Sequence, residues 1–513
     1  MTGIGTINPL GNNIQEYFAN LKAGVSGAAP ITHFDAEKFK TRFACEVKGY
    51  NWEDFFDRKE VRKYDLFSQY AMIAADQAMT DSGIDLEKVD KLRSGVIWAS
   101  GIGGLRSMFD EIAGFLEGGQ IPRFSPFFIP KMISDIAAGY ISMKYGFMGP
   151  NFCTVSACAS SNHAIILATD QIRMGRADIM ITGGSESAVN QPGVGGFNSM
   201  QALSTRNDDP ATASRPYDAD RDGFVIGEGA GGLILEEYEH AKARGAKIYA
   251  EVGGSGMSAD AYHFTAPHPE GLGAKHAMED AMKEAGISPD QVDYINTHGT
   301  STPAGDIPEL IGIQGAIGDR IYEANLSSTK SMTGHLLGAA GAIEALACIM
   351  AITEGVIPPT INNFNRDPNI DARINLTLNT AQERDVRVAM SNTFGFGGHR
   401  PAETDLTGAG QLTDNLPIRA RRRFLWGFFT HAAGKFPPPR PEEMENRGAS
   451  HLQPLYVRLS EKDMQETLRQ RPGVLRRRTQ PAGHHSRQHR PLQTRTDTPL
   501  RIGHAAGREP RQQ

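Results

Sequence analysis

Cys158 is the one cysteine of four whose local pattern gives a thiol chemical work to do. In NFCTVSACASSNHAIILATDQIRMG an extended run, Phe152 to Ser156, breaks at Ala157, Cys158 and Ala159 and then turns helical. That places the sulfur at a helix N-terminus, where unpaired N–H groups and the helix dipole favour the nucleophilic thiolate. A lone cysteine is more commonly a buried, inert thiol, and Cys45, Cys153 and Cys348 are read that way. Two histidines follow strand-like runs, His298 in NTHGTSTPAGD and His335 in STKSMTGHLLGAAG. Imidazoles fixed at strand ends can donate hydrogen bonds to an oxygen that gains negative charge. A single histidine is usually structural, and His163, inside the helix after Cys158, is read so. In MSNTFGFGGHRP, Gly395, Gly397 and Gly398 let backbone approach a ligand. N–H groups of that loop could form an oxyanion hole, although the motif alone also fits a plain turn. GIGG at Gly101 to Gly104 has no GxGxxG pattern behind it and is a weak signal.

These residues need strands and helices to hold them, and the apolar periodicity supplies both in alternation, as in an α/β architecture. Ser94 to Ser100, Ala177 to Gly184, Ala230 to Glu237, KIYAEVGGSG and Val292 to Gly299 read as buried strands. Helices are expected over Phe67 to Ser82, Ser160 to Met174 and Glu270 to Ala285, each followed by a glycine stop signal. The strand, turn and helix around Cys158 are echoed by LSSTKSMTGHLLGAAGAIEALACIM, a hint of two related halves.

Of 513 residues, 40% are apolar and 22% charged, the balance of a globular protein with room for two cores. No uninterrupted apolar run approaches the roughly 20 residues that cross a bilayer, and no signal-peptide pattern opens the chain. The cysteines form no CxxC pair, which excludes a disulfide framework or structural zinc site and fits a reducing, cytoplasmic compartment. The net charge of -6 conceals a division after His399. Up to His399 the charge is -16; from Arg400 onward it is +10, with 19 Arg against 2 Lys.

Taken together the motifs resemble the β-ketoacyl carrier-protein synthases, a thiolase-like family of condensing enzymes, and most closely the type II enzymes of bacterial fatty acid synthesis. The resemblance runs in order from TGIGTINPLGN through SGIGGL, TVSACASSNHAI, RPYDADRDGFVIGEGAG, SADAYHFTAPHPEG, THGTSTPAGD and STKSMTGHLLGAAGAIEA to SNTFGFGGH. It implies a layered αβαβα fold made of two halves, residues 1–245 and 246–399. It implies a decarboxylating Claisen condensation in which an acyl thioester and malonyl-acyl carrier protein give 3-oxoacyl-acyl carrier protein. Cys158 would accept the acyl group, with His298 and His335 completing the set and Lys330 and Glu344 supporting the second histidine. Thr300 and Thr302 match threonines that contact the phosphopantetheine arm. Phe396 matches the gating phenylalanine whose N–H joins that of Cys158 in the oxyanion hole, and Ile102 matches the acyl-pocket wall. No metal or redox cofactor is implied, since the phosphopantetheine arrives on the carrier protein.

The implied partners are acyl carrier protein and a second copy of the chain; nucleic acid and membrane are not expected. Carrier proteins are acidic, so a basic patch on an acidic enzyme would steer docking. Arg58, Lys59, Arg62 and Lys63, with Arg206, are the candidates, against the alternative of a solvated helix face. FSPFFIPKMISD could border an acyl pocket near a dimer interface or be plain core. A polyketide ketosynthase shares these residues. A thiolase would carry a second cysteine where His335 stands, and a chain-length factor lacks the nucleophile.

Both ends depart from the family. The family has a short strand before TGIG, whereas this chain starts at Met1, Thr2 and Gly3, so most of that sheet edge is expected to be lost. After SNTFGFGGH the family has Asn and an apolar strand, whereas this chain has RPAETDLTGAG. No strand is expected, leaving neighbouring backbone unpaired beside the active-site loop. Residues 400–513 read as a disordered Arg- and Pro-rich tail. Their scattered Arg, Pro, His and Gln fit an out-of-frame translation better than a nucleic-acid-binding arm, and an inactive product on a relic enzyme body is the alternative from outside the enzyme class.

Overall fold

The computed structural model describes residues 1–406, so the expectations for 407–513 lie outside the described residues. We number the strands of its two large sheets β1 to β10. The first sheet contains β1 (Gly3–Ile7), β2 (Ser94–Ala99), β3 (Asn151–Thr154), β4 (Ile179–Glu186) and β5 (Gly229–Glu236), in the spatial order β1-β5-β4-β2-β3. The second contains β6 (Glu251–Ala259), β7 (Tyr294–Asn296), β8 (Asn325–Ser327), β9 (Val388–Asn392) and β10 (His399–Leu406), in the order β6-β10-β9-β7-β8. The orders are the same, first-fifth-fourth-second-third. In each sheet the fifth strand is antiparallel to both neighbours, and the other pairings are parallel. The fold is therefore the thiolase-like pair of related halves that the weak internal echo hinted at.

Six helices complete the layers. They are α1 (Leu66–Ser82), α2 (Ile136–Tyr145), α3 (Ser160–Arg173), α4 (Leu272–Ala285), α5 (Asp306–Ile317) and α6 (Ala340–Glu354). Helices α1 and α2 pack on the first sheet, α4 on the second with α5 behind it, and α3 and α6 touch both sheets. A helix with sheets on two sides must be apolar nearly all round. AGAIEALACIMAITE meets that demand, with every residue from Ala340 to Ala351 buried. The stretch Leu337–Glu354 is long and apolar enough to span a membrane, a feature hidden in the sequence by Glu344, but here it is core. At the crossing of α3 and α6 only glycine fits position 341, because a Cβ there would lie 1.9 Å from Asn162 Oδ1. Helices α1 and α4 end as expected, on Gly83 and Gly286 at φ 61° and 69°.

Two expectations about the ends are corrected. The first edge persists: β1 pairs with β5 over five residues, and the Met1 ammonium donates to the Ala250 carbonyl at 2.9 Å. The segment after His399 does form a strand, since main-chain pairing asks little of side-chain identity and β6 and β9 each offer an edge. β10 bonds to both. The cost falls on its side chains. Ala402 and Thr404 lie opposite Gly256 and Gly254, the residues that approach α4. Alternation then turns Glu403 and Asp405 toward the central layer of α3 and α6. Both are about 1% exposed, and both Glu403 carboxylate oxygens and Asp405 Oδ2 have no partner among the described residues.

Candidate active site

The turn before α3 is tight. Ala157 takes φ 52°, Cys158 comes next, and the helix opens at Ser160. The second half repeats this design, with Leu337 at φ 49° three residues before α6 begins at Ala340. Cys158 thus has Gly338 as its counterpart, and Ser161 Oγ donates to the Gly338 carbonyl where the two turns meet. His298 lies just after β7, and His335 sits in the loop before α6, its N–H bonded to Val225 O at 2.7 Å.

These elements bring the three expected groups together. His335 Nε2 lies 2.9 Å from Cys158 Sγ, and the His298 and His335 rings stand 5.3 Å apart at 88°. All three line one cavity of about 600 Å³, together with Ile102, Thr300, Thr302 and Phe396. The threonine hydroxyls are 3.1 Å apart. In the glycine loop, Gly395 N–H donates to His399 O, Gly397 N–H to Phe264 O and Gly398 N–H to Gly395 O. Among the described residues the Phe396 N–H has no such acceptor, and neither has the Cys158 N–H, which leaves both for a ligand oxygen.

The electrostatics correct one expectation. Burial pushes the Cys158 thiol up to about 12, outweighing the opposing pull of Lys330, so the resting group is a thiol and not a thiolate. Burial first, then the Lys330 charge, holds both imidazoles well below the usual histidine range; His335 and Arg400 add to this at His298. Neutral rings beside a neutral thiol allow a proton to move along the 2.9 Å contact without prior charge separation. Lys330 Nζ is paired with Glu344 Oε1, both side chains 1% exposed, and burial lifts Glu344 to about 7 against the pull of that lysine.

Arg58, Lys59, Arg62 and Lys63 are exposed and lie outside the cavity lining. Arg206 is half-buried, donates to Asp220 O at 3.1 Å, and comes soon after cavity residues Met200, Gln201 and Ala202. FSPFFIPKMISD is surface and not core: Phe124 and Ile129 are 44% and 56% exposed, and none of its residues lines the cavity. His163 serves structure, accepting or donating at Ser156 Oγ over 2.6 Å.

Four participants escaped the sequence reading. Glu309, in the first turn of α5, accepts the N–H groups of His298 and Gly299 at 2.7 Å each and so fixes the loop carrying the first histidine. Its spacing of three from Asp306 on a helix start was the available signal. Glu186, at the end of β4, accepts from Gly101 N at 2.8 Å, Ile102 N at 3.2 Å and Gly338 N at 3.0 Å, tying the cavity wall to the second turn. A glutamate ending an otherwise uncharged strand marked it. Phe394 packs its ring 5.3 Å from that of His298, and Arg400 lines the cavity behind it. Neither had a pattern of its own.

Residues 1–241 match the family model described as Beta-ketoacyl synthase, N-terminal domain, and residues 249–364 match Beta-ketoacyl synthase, C-terminal domain. Over 399 residues the chain is 48% identical to 3-oxoacyl-[acyl-carrier-protein] synthase 2 of Synechocystis sp., covering 78% of this chain and 95% of that relative. The crystal structure of a β-ketoacyl synthase from Burkholderia phymatum superposes with a TM-score of 0.74 at 35% identity, over 79% of this chain and 98% of that one. A type II polyketide ketosynthase in complex with its acyl-carrier protein gives a TM-score of 0.74 at 33% identity, over 79% and 98% of the two chains.

Proposed function

Since the chain belongs to the β-ketoacyl synthase family, we propose that it condenses an acyl thioester with malonyl-acyl carrier protein to give 3-oxoacyl-acyl carrier protein in fatty acid elongation. The observation that carries this is the hydrogen bond between Cys158 Sγ and His335 Nε2 in a cavity shared with His298. Cys158 attacks the acyl carbonyl, its proton passes to His335 Nε2, and the departing pantetheine thiolate takes that proton. Covalent capture divides a difficult carbon–carbon bond formation into two easier steps. The N–H groups of Cys158 and Phe396 receive the oxygen of the tetrahedral intermediate.

Malonyl thioester then enters along Thr300 and Thr302. Loss of CO2 leaves an enolate whose oxygen accepts hydrogen bonds from His298 and His335, and the enolate carbon attacks the acyl group on Cys158. The new carbon–carbon bond forms as the carbon–sulfur bond breaks, and the freed sulfur takes a proton from solvent, since its first one left with the pantetheine thiol. Burial, aided by Lys330 in its pair with Glu344, keeps the imidazoles neutral, and Ile102 bounds the acyl chain. Greater identity to the fatty acid enzyme, 48% against 33%, favours that pathway over polyketide synthesis. Incubation with acyl-carrier protein and labelled malonyl-carrier protein should give labelled 3-oxoacyl product; release of labelled CO2 with no condensed product contradicts the reading.

The carrier protein docks, on this proposal, on Arg58, Lys59, Arg62, Lys63 and Arg206. Replacing both Arg62 and Lys63 by Glu should raise KM for the carrier about tenfold while leaving kcat intact, the mark of lost steering. An unchanged KM removes these residues from the interface. A cytoplasmic homodimer is part of the same proposal. It is supported by the edge of β3, unpaired among the described residues, and by exposed Phe152 and Val155 beside it, at 37% and 61%. We also propose a division of the chain into halves 1–245 and 246–399 and a further segment 400–513, whose first residues complete β10. The two sheets support the first boundary, and the unpartnered charges of β10 support an out-of-frame origin for the residues after His399.

A further inference from the structure

β10 buries three charged side chains, and among the described residues Arg400 alone of them is paired with an opposite charge within hydrogen-bond reach. Arg400, 3% exposed, donates from Nη2 to Asp260 Oδ2 at 2.5 Å and from Nη1 to His399 O at 2.9 Å and Gly395 O at 3.1 Å. Its guanidinium also lies 4.9 Å over the Phe394 ring. Asp260 is itself anchored, accepting the His268 N–H at 2.9 Å and donating its own N–H to Gly398 O at 3.0 Å.

The carbonyl of Gly395 and the N–H of Phe396 belong to one peptide unit. In a trans peptide the two point in opposite directions, so a donor that holds the carbonyl also aims the N–H. A cation on the carbonyl further polarises the unit and makes its N–H a stronger donor. We propose that Arg400 is a positioning residue of the condensation, which fixes and polarises the Gly395–Phe396 peptide so that the Phe396 N–H meets the oxyanion formed on the acyl carbonyl, with Asp260 holding the guanidinium in place. This rests on the activity proposed above. It concerns a position where the family resemblance has asparagine, a side chain without a charge to supply. Whatever reading frame provided the arginine, its donors are engaged where the peptide needs them.

The test compares two reactions of Cys158 in the full chain. Acyl transfer from acyl-carrier protein builds an oxyanion; alkylation by iodoacetamide does not. Arg400→Met should lower kcat for acyl transfer about tenfold or more with KM within about twofold, while the alkylation rate stays within about threefold. Arg400→Lys, which keeps the charge, should recover part of the loss. Asp260→Asn, which leaves the arginine but removes its anchor, should fall between wild type and Arg400→Met, and it serves if the Met variant does not fold. Acyl transfer unchanged in these variants overturns the proposal, and so does a parallel fall of both reactions, which marks a general disturbance of the cavity. If the wild-type chain transfers no acyl group at all, the activity reading fails instead, and alkylation alone distinguishes that case.

Discussion

Replacing Cys158 by alanine is expected to abolish condensation, by about a thousandfold or more, while malonyl-carrier protein is still decarboxylated. The two losses differ because the groups differ. The sulfur is the one thiol among the described residues that line the cavity, and without it the first half-reaction loses its acceptor. Decarboxylation needs only hydrogen-bond donors for the enolate oxygen, and His298 and His335 remain, 5.3 Å apart and held through their backbones by Glu309 and Val225. The check is a paired assay of 3-oxoacyl product and CO2 release. Condensation persisting in the variant, or decarboxylation lost with it, contradicts this assignment of roles.

The second large effect concerns stability. Substituting Val for both Glu403 and Asp405 is expected to stabilise the protein by several kcal/mol, on the order of 3 to 6, the sum of two unpartnered buried groups. Burial, with Asp405 as a close neighbour, raises Glu403 well above the carboxylate range; burial also raises Asp405, opposed by the Met1 ammonium. The surrounding ionisable groups offer little relief, since Cys348 on α6 is itself raised by burial and by both carboxylates. A raised carboxyl binds its proton more tightly when folded. Its contribution is therefore fully present below the unfolded value of about 4 and is lost as pH climbs through the folded one. Wild type should lose stability from about pH 5 toward neutrality. The Met1 ammonium, lowered by burial to about 6 from 8.0, works in the opposite sense between those values; Asp405 opposes that lowering, so in the variant it falls further and adds to the gap as pH rises. Urea midpoints at pH 5 and pH 7 should show a gap that widens with pH; a variant less stable than wild type at pH 7 contradicts it. On the coding DNA, an apolar strand and an early stop in another frame after the His399 codon would explain why a charged segment sits in this slot.

Much of the site was legible because its chemistry is local. A tight turn of small residues before a helix marked Cys158, and strand ends marked His298 and His335. The rest depends on groups that meet only in three dimensions. Glu186 reaches loops 85 and 152 positions away in the chain, and no local pattern encodes such a reach. The resting state of Cys158 is not legible for a related reason: the helix N-terminus is visible in sequence, whereas the burial that overrides it belongs to the packed cavity. β10 has no signature in the sequence because apolar pattern is only one of two reasons a strand forms. Pairing edges on both sides is the other, and Arg400 became part of the site through it.

The most direct measurement is the intact mass of the chain after incubation with an acyl-carrier protein thioester, with peptide mapping to locate any adduct. One acyl group should appear on Cys158 and on no other cysteine, and it should leave when malonyl-carrier protein is added. Unmodified protein under these conditions, or an acyl group on Cys45, Cys153 or Cys348, would contradict the account.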